Sequence, residues 1–459
     1  MERSELDSKR KADVPVAAAD GGNGKTVIPD PYCPLGKGGS ETSFFVNLLA
    51  LALAIGVTVL ARLAGVTATY GLYGVLLVSV LVFSVVLEVA FHPKTCCLKR
   101  LRRRRSLSWK RVAFRETALL VTFGCIALVY WALPLFSDKA MLKCYYPFLS
   151  GLVPVLLILS VPYFCLMDRI DPEEEDVLCR VGRAILTGRR TVTRFELANY
   201  VRSWLVKAFW LSIMQPAVCE KICVFLYYRW QKLAGSPMEC VLMASTICYA
   251  IDLCYASTGY ALNFKLFNTQ TRTAEPTLLG WAVAACCYWP FYGILFYPYF
   301  FKYDSSVQWN SLFVSGSVIW WLWAGVIVTM ELLYALSTVS AGIRFSNLTY
   351  RGLWKTGPYR LTKHPAYVFK CISWWFVYVP FATNSGAAAV KCTLLLLGVN
   401  VLYYFRARTE ERHLSHYPEY VDYALEMNRR SIFRWCGRLL PFLKYRAPLE
   451  STLLFHAQN

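Results

Sequence analysis

The sequence "AYVFKCISWWFVYVPFATNSGAAAVKCTLLLLGVNVLYYF" (residues 366–405) contains two apolar runs, 366–382 and 386–405. Only the short polar stretch TNSG separates them. A helix that crosses a lipid bilayer needs about 20 mostly apolar residues, and residues such as Asn, Ser and Gly favour tight turns. The stretch therefore predicts a hairpin of two membrane helices.

Runs of the same kind fill most of the preceding chain, and each is long enough to predict a membrane helix. They cover 43–65, 69–91, 117–136, 146–166, 207–227, 238–262, 277–300 and 312–336. The run 207–227 contains Pro216 and the adjacent Glu220 and Lys221, for which we favour an opposite-charge pair near one membrane interface over a substrate-facing pair. The sequence predicts an all-α, polytopic transmembrane helical protein with about ten spans.

The composition agrees with this class. Of the 459 residues, 56% are hydrophobic and 17% are charged, whereas an ordinary soluble domain has about 45–50% apolar and about 25% charged residues. The 17 cysteines show no spacing typical of a disulfide framework or a zinc site. We expect no metal site.

The net charge of +20 indicates how the protein is oriented in a membrane and does not favour nucleic-acid binding, because the cations occupy the polar gaps between apolar runs. Residues 92–116 contain 10 Lys and Arg, and the loops of the opposite face contain few. Lys and Arg are retained on the cytoplasmic side of membranes. We expect both termini and the polar cluster at 357–367 to face the cytoplasm, in the endoplasmic reticulum of a eukaryote or the inner membrane of a bacterium.

The chain divides into four predicted regions. Residues 1–42 are polar and Gly-containing, which predicts a disordered cytoplasmic tail. Residues 43–311 form a transmembrane region of unassigned role, residues 312–435 form a candidate catalytic region that includes the hairpin, and residues 436–459 form a C-terminal tail.

Two polar clusters flank the hairpin. The first is "GPYRLTKHPAY" (357–367), and the second is "RARTEERHLSHYPEYVDYALEMNRR" (406–430). If the second apolar helix continues past 405, Arg406 and Glu410 lie four residues apart on one helix face. The hairpin is expected to bring the two clusters together. Aromatic and cationic residues at span ends can serve only as interfacial anchors, but two prolines, a histidine and paired glutamates in this spacing favour a functional site.

This pair of motifs resembles the C-terminal catalytic region of isoprenylcysteine carboxyl methyltransferases and of membrane phospholipid methyltransferases. The resemblance covers about the last 120 residues, in "GPYRLTKHPAYVF" and "YYFRARTEERHLSHYPEYVDYALEM". It implies an integral membrane methyltransferase that uses S-adenosylmethionine and methylates a lipidic or prenylated acceptor, with carboxylate O-methylation favoured. Membrane lipids are the expected partners.

The resemblance also implies residue roles. Catalytic roles fall to Arg406, Glu411 and Lys363, with Arg406 orienting the acceptor's anionic group. The residues expected at the cofactor are Tyr359, His364, Pro365, Tyr367, Glu410 and Glu411. Related enzymes commonly have arginine where this chain has Lys363, and lysine lacks the planar fork that binds a carboxylate through two hydrogen bonds.

Two other classes stay open at this stage. Sterol reductases are ten-span membrane enzymes with a related C-terminal region that binds NADPH. Their motifs differ from Gly357–Pro358, His364–Pro365 and Glu410–Glu411 of this chain. A non-enzymatic transporter or membrane scaffold is the second alternative, although the sequence shows no internal repeat of the kind common in transporters.

Overall fold

The computed structural model describes residues 40–91, 105–132, 145–171, 173–300, 302–303 and 307–447. Most of the predicted tail 1–42, residues 92–104 of the basic loop and residues 448–459 lie outside the described residues. The described part is mostly helical with almost no strand, as predicted.

Twelve helices of eight or more residues occur in the described ranges. They are α1 (Phe44–Leu63), α2 (Thr69–Phe91), α3 (Trp109–Ala132), α4 (Tyr145–Ile170), α5 (Val177–Thr187), α6 (Arg194–Tyr227), α7 (Pro237–Ala261), α8 (Leu278–Ala285), α9 (Val318–Ala341), α10 (Pro365–Tyr378), α11 (Gly386–Leu414) and α12 (Pro418–Arg430). Single helical turns lie at Lys232–Gly235, Tyr297–Phe300 and Cys436–Leu439, a π-helical turn at Phe291–Phe296, and 3-10 turns at Lys265–Phe267, Trp309–Ser311, Gly342–Arg344, Gly357–Arg360 and Pro441–Leu443.

Eight of these helices are long and apolar enough to cross a membrane: α1, α2, α3, α4, α6, α7, α9 and α11. The chain is therefore a multi-pass membrane protein by helix length and composition. Eight of the ten predicted spans correspond to these helices. The remaining two, 277–300 and 366–382, do not form continuous long helices.

A proline follows the end of the helix in each of these two segments. In 277–300, α8 ends at Ala285, and turns lead to Pro290. The short helical turns Phe291–Phe296 and Tyr297–Phe300 follow. In 366–382, α10 ends after 14 residues, about 21 Å at 1.5 Å per residue. Val379 then takes a left-handed backbone conformation (φ 36°), and Pro380 lacks the N–H that a continuing helix would use.

Helix α6 is the opposite case, because it is longer than the predicted span. It starts with a reciprocal cap between Thr193 and Glu196 and continues through Pro216 for 34 residues. The Nζ of Lys221 lies 3.2 Å from a carboxylate oxygen of Glu220. These two residues thus pair with each other, as in the interpretation favoured from the sequence.

Helix α9 joins the two predicted membrane regions into one core. It packs against α7 and α1 of the first region and against α10 of the second. The first described residues also contact the C-terminal region. The backbone N–H of Glu41 donates to Leu353 at 2.8 Å, and the Asn47 amide donates to the carbonyl of Val339 at 2.9 Å.

The sheet content of the described residues is one short antiparallel pair, β1 (Thr273–Ala274) with β2 (Thr349–Tyr350). Helix α6 holds β1 through Asn199, whose side chain donates to the carbonyl of Arg272 at 3.1 Å and accepts from the N–H of Ala274 at 2.8 Å. This pair anchors the segments 263–277 and 345–351 beside the ends of α10 and α11.

Candidate functional site

The hairpin of α10 and α11 brings the two polar clusters together, as predicted. His364 precedes α10, and Pro365 occupies its first turn, where a missing N–H costs nothing. Gly357 has φ +60°, and a Cβ there would lie 2.3 Å from the Ser340 hydroxyl. Only glycine therefore allows the first cluster to approach α9 this closely.

Glu411 connects the two clusters. One of its carboxylate oxygens lies 2.7 Å from Lys363 Nζ and 3.1 Å from His364 Nε2, and the other accepts from Arg408 at 2.6 Å. Glu411 is 4% exposed. Burial lowers the pKa of Lys363, and the attraction of Glu411 opposes this shift. We call Glu411, Lys363, His364 and Arg408 the ion cluster.

Glu410 points to a different neighbour. Its carboxylate accepts a hydrogen bond from the Tyr367 hydroxyl at 2.6 Å. The Tyr367 ring lies parallel to the His364 ring, with centroids 5.6 Å apart and planes 4° apart. The adjacent residues Glu410 and Glu411 therefore bind α10 and the loop before it at two separate points.

Arg406 is enclosed by aromatic rings. Its guanidinium carbon lies 4.7 Å from the ring centroid of Tyr367, 5.1 Å from that of Tyr288 and 5.8 Å from that of Tyr403. The side chain donates to the Asn347 amide oxygen at 2.6 Å and to the Tyr288 hydroxyl at 3.2 Å. Cation–π attraction favours this arrangement. No carboxylate of the described residues lies within ion-pair distance of Arg406.

A small cavity lies beside Arg406. Its volume is about 40 Å³, and its lining residues are Glu275, Ala284, Ser346, Asn347, Leu348, Thr349, Tyr367, Arg406, Thr409, Glu410, His413 and Leu414. This volume holds about one water molecule. The cavity is therefore narrow in this structure, although its walls combine carboxylate, amide, phenol and guanidinium groups.

The candidate site residues thus fall into three sets. Tyr367, Arg406 and Glu410 line the cavity. Lys363, His364 and Glu411 belong to the ion cluster beside it.

The third set, Tyr359 and Pro365, makes supporting contacts. The carbonyl of Tyr359 accepts from the Tyr423 hydroxyl at 2.8 Å, and its ring packs against Trp354 with centroids 6.2 Å apart. Pro365 is buried at the start of α10. These contacts fix the position of the first cluster.

Sequence reasoning missed four polar residues of the site: Asn347, Tyr288, Glu275 and His413. Asn347 follows the end of α9, and His413 lies three residues after Glu410 on α11, so their positions beside the clusters were a usable signal. Tyr288 comes from the segment 277–300, which was predicted as a span, and Glu275 lies two positions before that segment. Only the β1–β2 pairing and the break in that segment bring them here.

No family model, no curated protein and no solved structure matches this chain.

Proposed function

We propose that this protein is an integral membrane methyltransferase that uses S-adenosylmethionine to methylate the carboxylate of a lipidic or prenylated acceptor. The observation that carries the proposal is the cavity shared by Arg406, Tyr367 and Glu410. These residues come from the two separate motifs that resemble membrane methyltransferases. Their convergence is what a site divided between two motifs requires.

The chemical groups of the cavity suit the cofactor. S-adenosylmethionine carries a sulfonium and an ammonium group, and aromatic faces and carboxylates attract such cations. Glu410 and Glu275 supply carboxylates, and Asn347 supplies an amide. When bound, the cofactor supplies an electrophilic methyl group. Ligand sites typically measure about 300–1,000 Å³, so the lining side chains must move apart before the cofactor can enter.

Arg406 is the residue that we assign to the acceptor. It is 5% exposed and has no carboxylate partner among the described residues. A buried guanidinium forms strong paired hydrogen bonds with a carboxylate. An acceptor carboxylate is ionised at neutral pH, so its attack on a methyl group needs placement more than a general base.

The ion cluster and the hairpin have a positioning role in this proposal. The ion cluster joins the loop before α10 to α11 and so fixes the relative positions of Tyr367 and Glu410. The surrounding tyrosine rings exclude water, and a drier site favours a reaction in which charge is neutralised. The Lys- and Arg-rich loops favour a cytoplasmic position for the site, with the acceptor's apolar chain left in the bilayer.

The test is calorimetric binding of S-adenosylhomocysteine to detergent-purified protein. We expect wild type to bind and Glu410→Gln to bind at least about tenfold more weakly, because Gln removes a charge that interacts with the cofactor's ammonium group. Glu426→Gln is the matched control, since Glu426 is exposed on α12 and pairs with Arg430. NADPH is titrated in parallel.

Folded wild-type protein that binds NADPH but neither S-adenosylhomocysteine nor S-adenosylmethionine would overturn the proposal in favour of a reductase. If the cofactor binds, Arg406→Lys tests the acceptor role. We expect it to retain cofactor binding but to lose most methyl transfer to prenylated cysteine acceptors, measured with a labelled methyl group.

A further inference from the structure

The chain at and after the end of α12 carries exposed cations that the proposed site does not use. We call residues 429–446 the basic segment. It contains six Lys and Arg and no Asp or Glu. All six cations are exposed, namely Arg429, Arg430, Arg434, Arg438, Lys444 and Arg446. Of these, only Arg430 has a carboxylate partner among the described residues, Glu426 at 2.5 Å. The basic segment therefore presents an excess of positive charge at the protein surface.

Large apolar side chains lie between these cations, and the described part of the protein leaves them uncovered. Side chains that are 38% to 71% exposed are Ile432, Trp435, Leu439, Leu440, Phe442 and Leu443. A large exposed apolar patch marks an interaction surface more often than it occurs by chance. Trp, Phe and Leu together with Arg and Lys are typical of segments that lie in the interface of a membrane.

The lipid-facing side of α11 shows where the hydrocarbon of the bilayer ends. Its exposed apolar residues recur every three or four positions and so share one helix face. They are Val390, Leu394, Leu397, Val401 and Phe405. The polar second cluster starts at the next residue, so the apolar stripe ends at Phe405. The end of such a stripe marks the boundary between hydrocarbon and water.

The basic segment contacts α11 at this boundary. The Tyr404 hydroxyl donates to the carbonyl of Phe442 at 3.2 Å, and the two rings pack edge to face with centroids 5.7 Å apart. Tyr404 directly precedes Phe405, the last residue of the stripe. Phe442 and the adjacent Leu443 therefore lie at the depth of the membrane interface, where aromatic side chains are enriched.

Hydrogen bonds near both ends hold the basic segment in place. The backbone N–H of Ile432 donates to the carbonyl of Leu361, in the first polar cluster, at 3.0 Å. Tyr445 is 4% exposed, and its hydroxyl lies 2.7 Å from that of Ser415. The basic segment thus extends from the first cluster to α11. A surface that is ordered before binding loses less conformational entropy when it binds.

We infer that the basic segment is a surface anchor that binds the anionic phospholipids of the membrane in which the helices lie. Its apolar side chains enter the interface, and its cations attract the negative headgroups. Clusters of about four to eight Lys and Arg beside a membrane helix are typical of anionic-lipid sites. The cytoplasmic leaflet is the anionic one, which agrees with the orientation expected from the Lys- and Arg-rich loops. The inference does not depend on the proposed methyl transfer.

The experiment places a fluorescent amino acid at position 439 of the full-length protein in lipid nanodiscs. Leu439 is 71% exposed, so the fold accommodates a probe there. The phosphatidylcholine of the discs carries bromine on its acyl chains, and bromine quenches a fluorophore only at short range. We expect at least about twofold quenching relative to unbrominated discs, because interfacial side chains reach about 5–10 Å into the headgroup and acyl boundary.

A probe at position 416 is the matched control. His416 is exposed and lies just after the end of α11, about 14 Å or more beyond Phe405 at 1.5 Å per residue. It therefore projects past the boundary, and we expect bromine to leave its fluorescence unchanged.

Phosphatidylserine tests the contribution of charge. Adding it to the discs should increase the quenching at position 439. The double variant Arg434→Gln/Arg438→Gln should lose most of this increase, because each basic residue near an anionic surface strengthens binding about fivefold. Arg189→Gln/Arg190→Gln removes the same charge from two exposed residues between α5 and α6 and should respond as wild type does.

The inference is overturned if bromine quenches the probe at position 439 no more than the probe at position 416. Quenching that neither phosphatidylserine nor the Arg434→Gln/Arg438→Gln variant changes would also overturn it, since the segment would then contact lipid without recognising its charge. Shielding of the probe at position 439 that rises with protein concentration in detergent would assign this surface to a second copy of the chain, against the inference.

Discussion

Replacing Glu411 by glutamine tests whether the ion cluster holds the first polar cluster against α11. Glutamine keeps the shape and one acceptor oxygen but removes the negative charge. The side chains of Lys363 and His364 are 12% and 11% exposed, whereas that of Arg408 is 35% exposed. The loss of the negative charge therefore affects mainly the two buried partners, Lys363 and His364.

The magnitude follows from this difference in burial. Removing one partner of a buried ion pair costs about 3–5 kcal/mol, and an exposed pair such as that with Arg408 contributes about 0.5 kcal/mol. Because glutamine still accepts a hydrogen bond, we expect the lower end, about 3 kcal/mol. At about 2 °C per kcal/mol for a chain of this size, Glu411→Gln lowers the Tm by about 6 °C.

Two assays check this prediction in detergent-purified protein. Thermal unfolding gives the Tm, and limited trypsin digestion reports opening of the loop that contains Lys355 and Arg360. We expect faster cleavage of this loop in the variant. The control Glu426→Gln removes an exposed ion pair and should change the Tm by less than about 1 °C.

A double variant separates loss of the pair from loss of shape. Lys363→Met in the Glu411→Gln background removes the cation that was left unpaired, so it should recover part of the lost Tm. An unchanged Tm and unchanged cleavage in Glu411→Gln would refute the reasoning, since they would mean that the buried cations do not need this carboxylate.

Two further predictions concern the packing of the helices. A Cβ at Gly182 of α5 would lie 1.7 Å from the carbonyl oxygen of Phe114, so Gly182→Ala should destabilise the protein by about 3 kcal/mol in thermal unfolding, whereas Gly124→Ala, with open space around it, should be neutral or slightly stabilising. The guanidinium of Arg344 binds both carboxylate oxygens of Glu88 at 2.5 and 3.1 Å. Glu88→Gln alone should therefore lower the free energy of unfolding by about 3–5 kcal/mol, whereas Glu88→Leu combined with Arg344→Met should keep the stability near that of wild type. Equal losses of stability in the single and double variants would contradict this.

The sequence predicted the parts of the fold that depend on apolar length. Runs such as 43–65 and 386–405 contain enough consecutive apolar residues to predict a long helix, and the structure has one at each. The runs around Pro290 and Pro380 were equally apolar, but hydrophobicity does not report where a helix breaks. The backbone at Val379 and the missing N–H of Pro380 decided that α10 ends after Tyr378.

The candidate site was predictable where helical spacing governs it. Arg406 and Glu410 share the cavity because they lie four positions apart on α11. Tyr367 contacts Glu410 because a short turn between α10 and α11 reverses the chain. Asn347 and Glu275 were not predictable in the same way. They reach the cavity through pairing of two short strands 75 residues apart in sequence, and a two-residue strand has almost no local signature.

The guanidinium of Arg406, enclosed by three tyrosine rings, also limits the rate at which a ligand can bind in the cavity. With space for about one water molecule there, a larger ligand can bind only in the fraction of time when these side chains have moved apart. The apparent affinity is then the intrinsic affinity multiplied by that fraction, and the association rate is limited by the opening motion instead of by diffusion. The same closure slows the release of a molecule that has entered.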